Sequence, residues 1–205
     1  SGVTGVGGLL GGFSGKLLSR FGCYIAVDKA DAGVALVLPV SVNNKIRGAV
    51  KAVYEKQEWT RTSYITSPGN WVSSVGLLGY DQAKTIIKKY GRKYVVLVEG
   101  PRDVLRLLKR GIPACAVLGV KNISQRKMDL CFALGVDCVY AMPDNDSAGT
   151  DMWKLIKKLA RDKYVRRLKL PRERDEKGRL IKMDPFSMSD DVLDEVFDLL
   201  EKRHG

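Results

Sequence analysis

The chain has 205 residues, 45% of them hydrophobic and 28% charged, with a formal net charge of +12. That is enough apolar material for a packed core and too much for a disordered tail, and no apolar run is long enough to span a bilayer. The positive excess points to a polyanionic partner, nucleic acid before an acidic membrane surface.

Residues 1–15, with seven glycines, read as a flexible end, an expression remnant or the stump of a linker. "KLLSRFG" (16–22) predicts a short helix closed by glycine. "GVALVLPV" (33–40) and "KIRGAVKAVYEK" (45–56) read as two strands joined through the turn signal "SVNNK", and hence as a hairpin. Residues 64–76 read as a loop punctuated by Pro68-Gly69, and 80–91 as a helix ended by Gly91. Then the pattern becomes regular: strand 94–98, helix 101–110, strand 114–118, helix 124–134, strand 137–142, helix 147–162, strand 165–170, a long loop and helix 190–202. Such alternation predicts an α/β fold, a parallel sheet flanked by helices. Helix 147–162 carries Ala148, Met152, Leu155, Ile156 and Leu159 on one face, with Lys154, Lys157, Lys158 and Arg161 on the rest. The organisation expected is a glycine-rich end (1–15), a smaller basic α+β subdomain (16–90) and a parallel-sheet domain with a C-terminal helix (91–205).

Open parallel sheets place ligands beyond the carboxyl ends of their strands. Glu99 ends the first strand of the regular half, Asp144 and Asp146 follow the third, and Asp184 follows the fourth. Asp144 and Asp146, two residues apart, point to the same side of an extended segment and repel, unless a divalent cation sits between them. Oxygen donors of this kind suit Mg²⁺ or Mn²⁺. Gly100 allows a sharp turn beside such an ion and Pro101 suits a first helical position, which puts Asp103 in the first helical turn. There it can favour the helix dipole or serve a second cation. Each acid has a plain structural alternative: Glu99 a turn residue, Asp144 or Asp146 a helix cap, Asp184 an ordinary turn before proline. Together they point to metal-dependent phosphate chemistry. The cysteines at 23, 115, 131 and 138 form no C-x-x-C pair and the sole histidine is His204, so no zinc site is expected. Cys115, Cys131 and Cys138 sit in apolar contexts and read as buried thiols in a reducing compartment.

At these residues the sequence resembles the Toprim domain shared by topoisomerases, primases and certain nucleases. "VVLVEGPRDVLRLLKRG" is similar to the family's glutamate motif and "VYAMPDNDSAG" to its D-x-D motif, in the form found in phage helicase-primases. Upstream, "ALVLPVSVNNKIRGAVKAVYEK" and "SYITSPGNWVSSVGLLGYDQAK" resemble segments of DnaG-type primases, and the likeness runs from about residue 16 to 191. The resemblance implies a DNA primase catalytic core that makes short RNA primers on single-stranded DNA. It implies Glu99, Asp144 and Asp146 as catalytic residues, and Glu99, Asp103, Asp144, Asp146 and Asp184 as holding one or two Mg²⁺ or Mn²⁺ ions. It also implies ribonucleoside triphosphates as substrates, a helicase or a zinc module outside this chain as partner, and a cytoplasmic setting in a bacterial, phage-infected or organellar context. The chain departs from the family at Ser63, where a lysine is usual, in "VSSVG", which lacks another, and at Phe186, where an acid often stands.

For template and triphosphate the candidates are Lys45, Arg47, Lys51, Lys56, Arg61 and Lys121, with Trp59, Tyr64 and Trp71 available to stack on bases. Residues 154–182 hold thirteen Lys/Arg against four Asp/Glu, either a second nucleic-acid surface or a helix flank and solvated loop. The alternatives to a primase are a Toprim nuclease using the same acids, and a Toprim module that grips DNA or a replication partner without turnover.

Overall fold

Two asparagines make the first tight turn of the fold. Asn43 and Asn44 both have positive φ, 53° and 61°, a conformation asparagine tolerates and one that suits the twist of a two-residue hairpin. They join β2 (Gly33–Val42) to β3 (Lys45–Glu55), with Val42 opposite Lys45. The turn is pinned to α3 (Tyr80–Tyr90): Asn44 N–H donates to Asp81 Oδ2 (2.9 Å) and Lys84 Nζ donates to Asn43 Oδ1 (2.5 Å). The computed structural model describes residues 13–28, 33–55, 58–65, 70–170, 176–178 and 183–204. The glycine-rich stretch before Phe13, Lys56 and the Pro68-Gly69 turn lie outside them.

The hairpin belongs to an antiparallel sheet of order β1-β2-β3-β4, with β1 at Tyr24–Asp28 and β4 at Glu58–Ile65. Before it stands α1 (Gly15–Arg20), whose N-terminus is capped by the Ser14 hydroxyl accepting from Leu17 N–H (3.2 Å). Strands β1 and β4 correct the sequence reading, which left 24–28 unassigned and began a loop at residue 64. Strand β4 is half-polar without an apolar run, and β1 offers only a short one, Tyr24 to Val27. Their partners fix them: β1 pairs along β2, and β4 along β3 as far as Ile65 opposite Ala49. The rest of the expected loop contains a helical turn, α2 (Trp71–Ser74).

The second sheet is parallel, of order β6-β5-β7-β8. Its strands are β5 (Tyr94–Val98), β6 (Ala114–Ala116), β7 (Cys138–Ala141) and β8 (Val165–Arg167). The helices between them are α4 (Pro101–Lys109), α5 (Gln125–Phe132) and α6 (Ser147–Ala160), and α7 (Asp190–His204) closes the chain. Strands β5, β6 and β7 are buried along their whole length, as expected of a sheet covered on both faces. From β5 the chain crosses to β6 through α4, and from β7 it crosses the other way to β8 through α6. Right-handed crossovers therefore put α4 and α6 on opposite faces and leave a switch point between β5 and β7. Strand β6 is shorter than expected because Leu118 (φ 65°) and Gly119 (φ 100°) swing the chain away from the sheet.

Leu78 forms an antiparallel bridge to Ala116, so the segment before α3 covers the β6 edge. Gly79 makes that approach possible: its φ is 89°, and a Cβ there would lie 2.8 Å from Val104 Cγ2 and 2.9 Å from the Ala114 carbonyl oxygen. One hydrophobic cluster runs from Phe13 through both sheets to Leu200. At the far end of the parallel sheet, Tyr94 OH donates to Glu201 Oε1 (2.7 Å), Arg92 pairs with Glu201, and Tyr140 OH lies 2.9 Å from His204 Nε2. No helix among the described residues is long and apolar enough to cross a membrane.

All four cysteines are buried, and burial pushes the Cys23 and Cys131 thiols up to about 12 and Cys138 up to about 11. A disulfide-exchange reagent at pH 8 is therefore expected to label the native chain about a hundredfold or more slowly than the chain in denaturant. Rapid labelling of any one of them under native conditions would contradict this packing.

Candidate active site at the carboxyl edge of the parallel sheet

Glu99 leaves β5 at the switch point. Its carbonyl oxygen accepts from Leu118 N–H (3.0 Å) and Gly119 N–H (3.3 Å), so the turn after β6 clamps its backbone, and the residue is half-buried. Gly100, in an extended conformation, caps α4, and Pro101 starts the helix. Asp103 sits in the first turn with only 7% exposure. Its Oδ2 accepts from Gly100 N–H (3.1 Å) and its Oδ1 from Phe186 N–H (3.2 Å). One carboxyl thus closes the start of α4 and fastens a segment far along the chain. Burial first, then the charges of Asp184 and Asp144, push this carboxyl up to about 7, against the pull of its two backbone donors.

The fastened segment is held by more than Asp103. The Arg102 guanidinium lies 3.6 Å from the centroid of the Phe186 ring. Arg106 donates to the Met188 carbonyl (3.2 Å) and to Asp190 Oδ1 (2.5 Å), and Arg110 pairs with Asp194 (2.8 Å). Within the segment, Asp184 Oδ1 accepts from Ser187 N–H (2.7 Å). The aromatic residue at 186, where the resemblance leads one to expect an acid, serves here as a packing anchor for the Asp184 turn.

Asp144 and Asp146 follow β7. Asn145 N–H donates to the Met183 carbonyl (3.0 Å), which ties this segment to the one carrying Asp184. Asp146 is the N-cap of α6, its Oδ1 accepting from Gly149 N–H (2.8 Å). Gly149 has no alternative: a Cβ there would stand 2.0 Å from the Asp144 carbonyl oxygen. The spacing D-x-D-x-x-G therefore works as a unit, the cap at 146 and the missing side chain at 149 together seating α6 on the backbone of Asp144.

These contacts bring Glu99, Asp103, Asp144, Asp146 and Asp184 to one edge of the sheet, and Asp103 responds to the charges of both Asp144 and Asp184. Among the described residues no three acids, cysteines or histidines stand close enough to share one ion. Mg²⁺ seldom asks for that: it keeps several waters and takes one or two carboxylates, with substrate phosphates completing its shell. The all-oxygen donors and the crowded negative charge fit a hard divalent cation held in this open manner.

Of the basic candidates, Lys121 is exposed in the 3-10 turn Val120–Asn122, just beyond the clamp on Glu99. Lys45 and Arg47 are exposed at the hairpin end of β3, and Lys51 is half-buried farther along it, all on the antiparallel sheet. Arg61 pairs with Val53 through the backbone of β4, while its side chain, those of Trp59 and Tyr64, and all of Lys56 lie outside the described residues. Trp71 is half-buried against the core. The sequence reading did not single out Arg167 and Lys169, which share a groove with Asp144 and Asn145. The alternation Arg167-Leu168-Lys169-Leu170 was the available signal.

Residues 96–178, which include Glu99, Asp103, Asp144 and Asp146 but not Asp184, match a family model described as Toprim-like. No curated protein matches the chain in sequence. The chain is similar in structure to the Aquifex aeolicus primase (zinc-binding and RNA polymerase domains), with a TM-score of 0.68 and 16% identity over 93% of this chain and 53% of that one. It is also similar to the primase fragment of the bacteriophage T7 primase-helicase protein (TM-score 0.62, 17% identity, 91% of this chain and 69% of that one). A third similar structure is a DnaG catalytic core (TM-score 0.63, 19% identity, 91% of this chain and 62% of that one). The chain thus spans little more than half of the Aquifex chain. Its fold is that of a DnaG-type primase core, α/β with a Toprim parallel sheet and a smaller antiparallel sheet.

Replacing Gly149 with alanine forces α6 off Asp144 and is expected to lower stability by about 1–3 kcal/mol. Denaturant unfolding measures this, and an unchanged midpoint would refute the contact. Asp103 has a pH signature in metal-free buffer. Its folded value of about 7 lies above the ordinary 3.8, so between those values the native state binds the extra proton. Its contribution is complete below about pH 4 and is lost as pH rises through 7. The melting temperature of the native chain in EDTA should therefore fall, relative to Asp103→Asn, across that window.

Proposed function

We propose that this chain is the catalytic core of a DNA primase, joining ribonucleotides into short RNA primers on a single-stranded DNA template. The observation that carries the reading is the gathering of Asp103, Asp144 and Asp184, from three separate stretches of chain, at the switch point of a sheet with the primase-core fold. A 3′-hydroxyl of the growing primer attacks the α-phosphorus of the incoming ribonucleoside triphosphate, the bond to the β-phosphate oxygen breaks, and pyrophosphate leaves. Glu99 is a metal ligand or takes the proton from that hydroxyl. Glu99, Asp144 and Asp146, with Asp103 and Asp184 behind them, are the residues to hold one or two Mg²⁺ or Mn²⁺ ions. Bound there, such ions supply positive charge to the attacking and leaving oxygens. Lys45, Arg47, Lys51, Lys56, Arg61 and Lys121 guide template and triphosphate phosphates. The T7 relative is part of a primase-helicase and the Aquifex relative carries a zinc-binding domain, so a helicase or a zinc module is a fitting partner here. The place of such a reaction is the cytoplasm or an organelle interior.

A second reading, a Toprim module that binds nucleic acid without turnover, gains from one observation. Asp103, Asp146 and Asp184 each give an oxygen to a backbone N–H, and no three acids among the described residues form a ready cage.

The deciding variant is Asp144→Asn with Asp146→Asn, which keeps a good cap for α6 while removing both charges. Template-directed ribonucleotide incorporation with Mg²⁺ or Mn²⁺ is expected to fall at least about a hundredfold, with the fold retained. Undiminished synthesis would end the proposal. Metal-dependent cutting by the native chain would make it a nuclease, and DNA binding without either activity would make it a binding module.

A further inference from the structure

Strand β8 runs beside β7, with Arg167 opposite Ala141 and Leu168 N–H donating to the Ala141 carbonyl (2.8 Å). Beyond the strand, burial alternates residue by residue. Leu168 and Leu170 are buried at 6% and 8% exposure, so Arg167 and Lys169 stand together on the other side, roughly 7 Å apart along the chain. They open into a groove of about 350 Å³ lined by Pro143, Asp144, Asn145, Arg167, Lys169 and Leu170.

These two cations differ from the other basic side chains packed between elements. Arg92 pairs with Glu201, Arg106 with Asp190, and Arg110 with Asp190 and Asp194. Among the described residues no acid pairs with Arg167 or Lys169; the Arg167 Nε is shielded from water without a hydrogen-bond partner, as are those of Arg92, Arg106 and Arg110, but Arg167 alone of the four lacks a carboxylate as well. A half-buried guanidinium with no carboxylate among the described residues to pair with is prepared for an acceptor from outside the chain. A planar guanidinium beside an ammonium suits a phosphate group, the first by paired hydrogen bonds and the second as a point charge. With Asp144 on the same groove wall, such a phosphate would lie next to the proposed site of phosphoryl chemistry.

We infer that Arg167 and Lys169 form a phosphate-binding subsite that holds an oxyanion against the Asp144-Asn145 segment. The inference rests on the proposed function only in taking Asp144 as part of the reactive site. The phosphate comes either from a nucleoside triphosphate or from a nucleic-acid backbone, and binding measurements separate these sources.

The variants are Arg167→Gln with Lys169→Gln, the charge-keeping exchange Arg167→Lys with Lys169→Arg, and Lys169→Glu, which alters only an exposed side chain and is safe for folding. The probes are ATP and inorganic tripolyphosphate, followed by calorimetry with and without Mg²⁺, and a twelve-nucleotide oligo-dT followed by anisotropy over a range of salt. The Gln pair and Lys169→Glu are each expected to weaken at least one probe about tenfold, with the charge-keeping exchange close to the native chain. Loss confined to ATP and tripolyphosphate assigns the subsite to the nucleotide. Loss of the oligonucleotide, with a salt slope lower by about 1.4 in the Gln pair, assigns it to the backbone. Native affinity for all three probes in folded Gln-pair or Lys169→Glu protein overturns the inference. The readouts are affinities, so the two claims fail separately. A native chain that binds through this pair but makes no primer removes only the proposed function. One that makes primer, with binding indifferent to the pair, removes only the subsite.

Discussion

Like charges do not gather unaided, and the edge of this sheet depends on the backbone hydrogen bonds that oblige them to. Asp103 is the clearest case: its two oxygens accept from Gly100 N–H at 3.1 Å and Phe186 N–H at 3.2 Å, and through them the start of α4 and the Asp184 turn become one body. The cost is visible in the same group, whose proton is held up to about pH 7 by burial and by two neighbouring acids. The clamp on the Glu99 carbonyl and the close seat of Gly149 on Asp144 do the same for the other two segments. For Asp103 the main chain holds the carboxylate itself; for Glu99 and Asp144 it fixes the backbone from which the carboxylate extends.

Much of this was legible in the sequence, for identifiable reasons. The parallel half announced itself because β5, β6 and β7 are continuous apolar runs and a helix opens sharply at Pro101. The Asn-Asn turn was readable because few other residues accept two successive positive φ angles. Strand β4 was not, since its place is set by pairing to β3 rather than by its own apolar pattern, and β1 is a run of only five residues between a glycine-closed helix and a polar stretch. The acids could be named from their positions after strands. What each carboxyl does could not, because the contact between Asp103 and Phe186 joins residues 83 positions apart. The departure at Phe186 looked like a missing charge; the fold uses the ring as a surface for Arg102.

The basic excess of the chain divides in a similar way. Arginines on α4 and before β5 are spent on the acids of α7 and hold the last helix in place. Lys127 is wholly internal: it is 1% exposed, its Nζ donates to the Val117 carbonyl at 2.5 Å, and burial lowers it to about 8. Its role is to fasten α5 to the end of β6, one residue before the clamp on Glu99. Exposed cations at the hairpin end of β3, after β6 and along β8 are among those left to face a polyanion.

Leu118 brings a consequence of its own. A leucine at φ 65° is held in a left-handed conformation that costs of order 1 kcal/mol, and it persists because its N–H and that of Gly119 both reach the Glu99 carbonyl. Its side chain is wholly buried in the core, and the packing lost in a glycine variant would outweigh the backbone relief at that φ. The same residue thus anchors the turn in the core by its side chain and holds the Glu99 carbonyl by its main chain, so loosening the one would release the other.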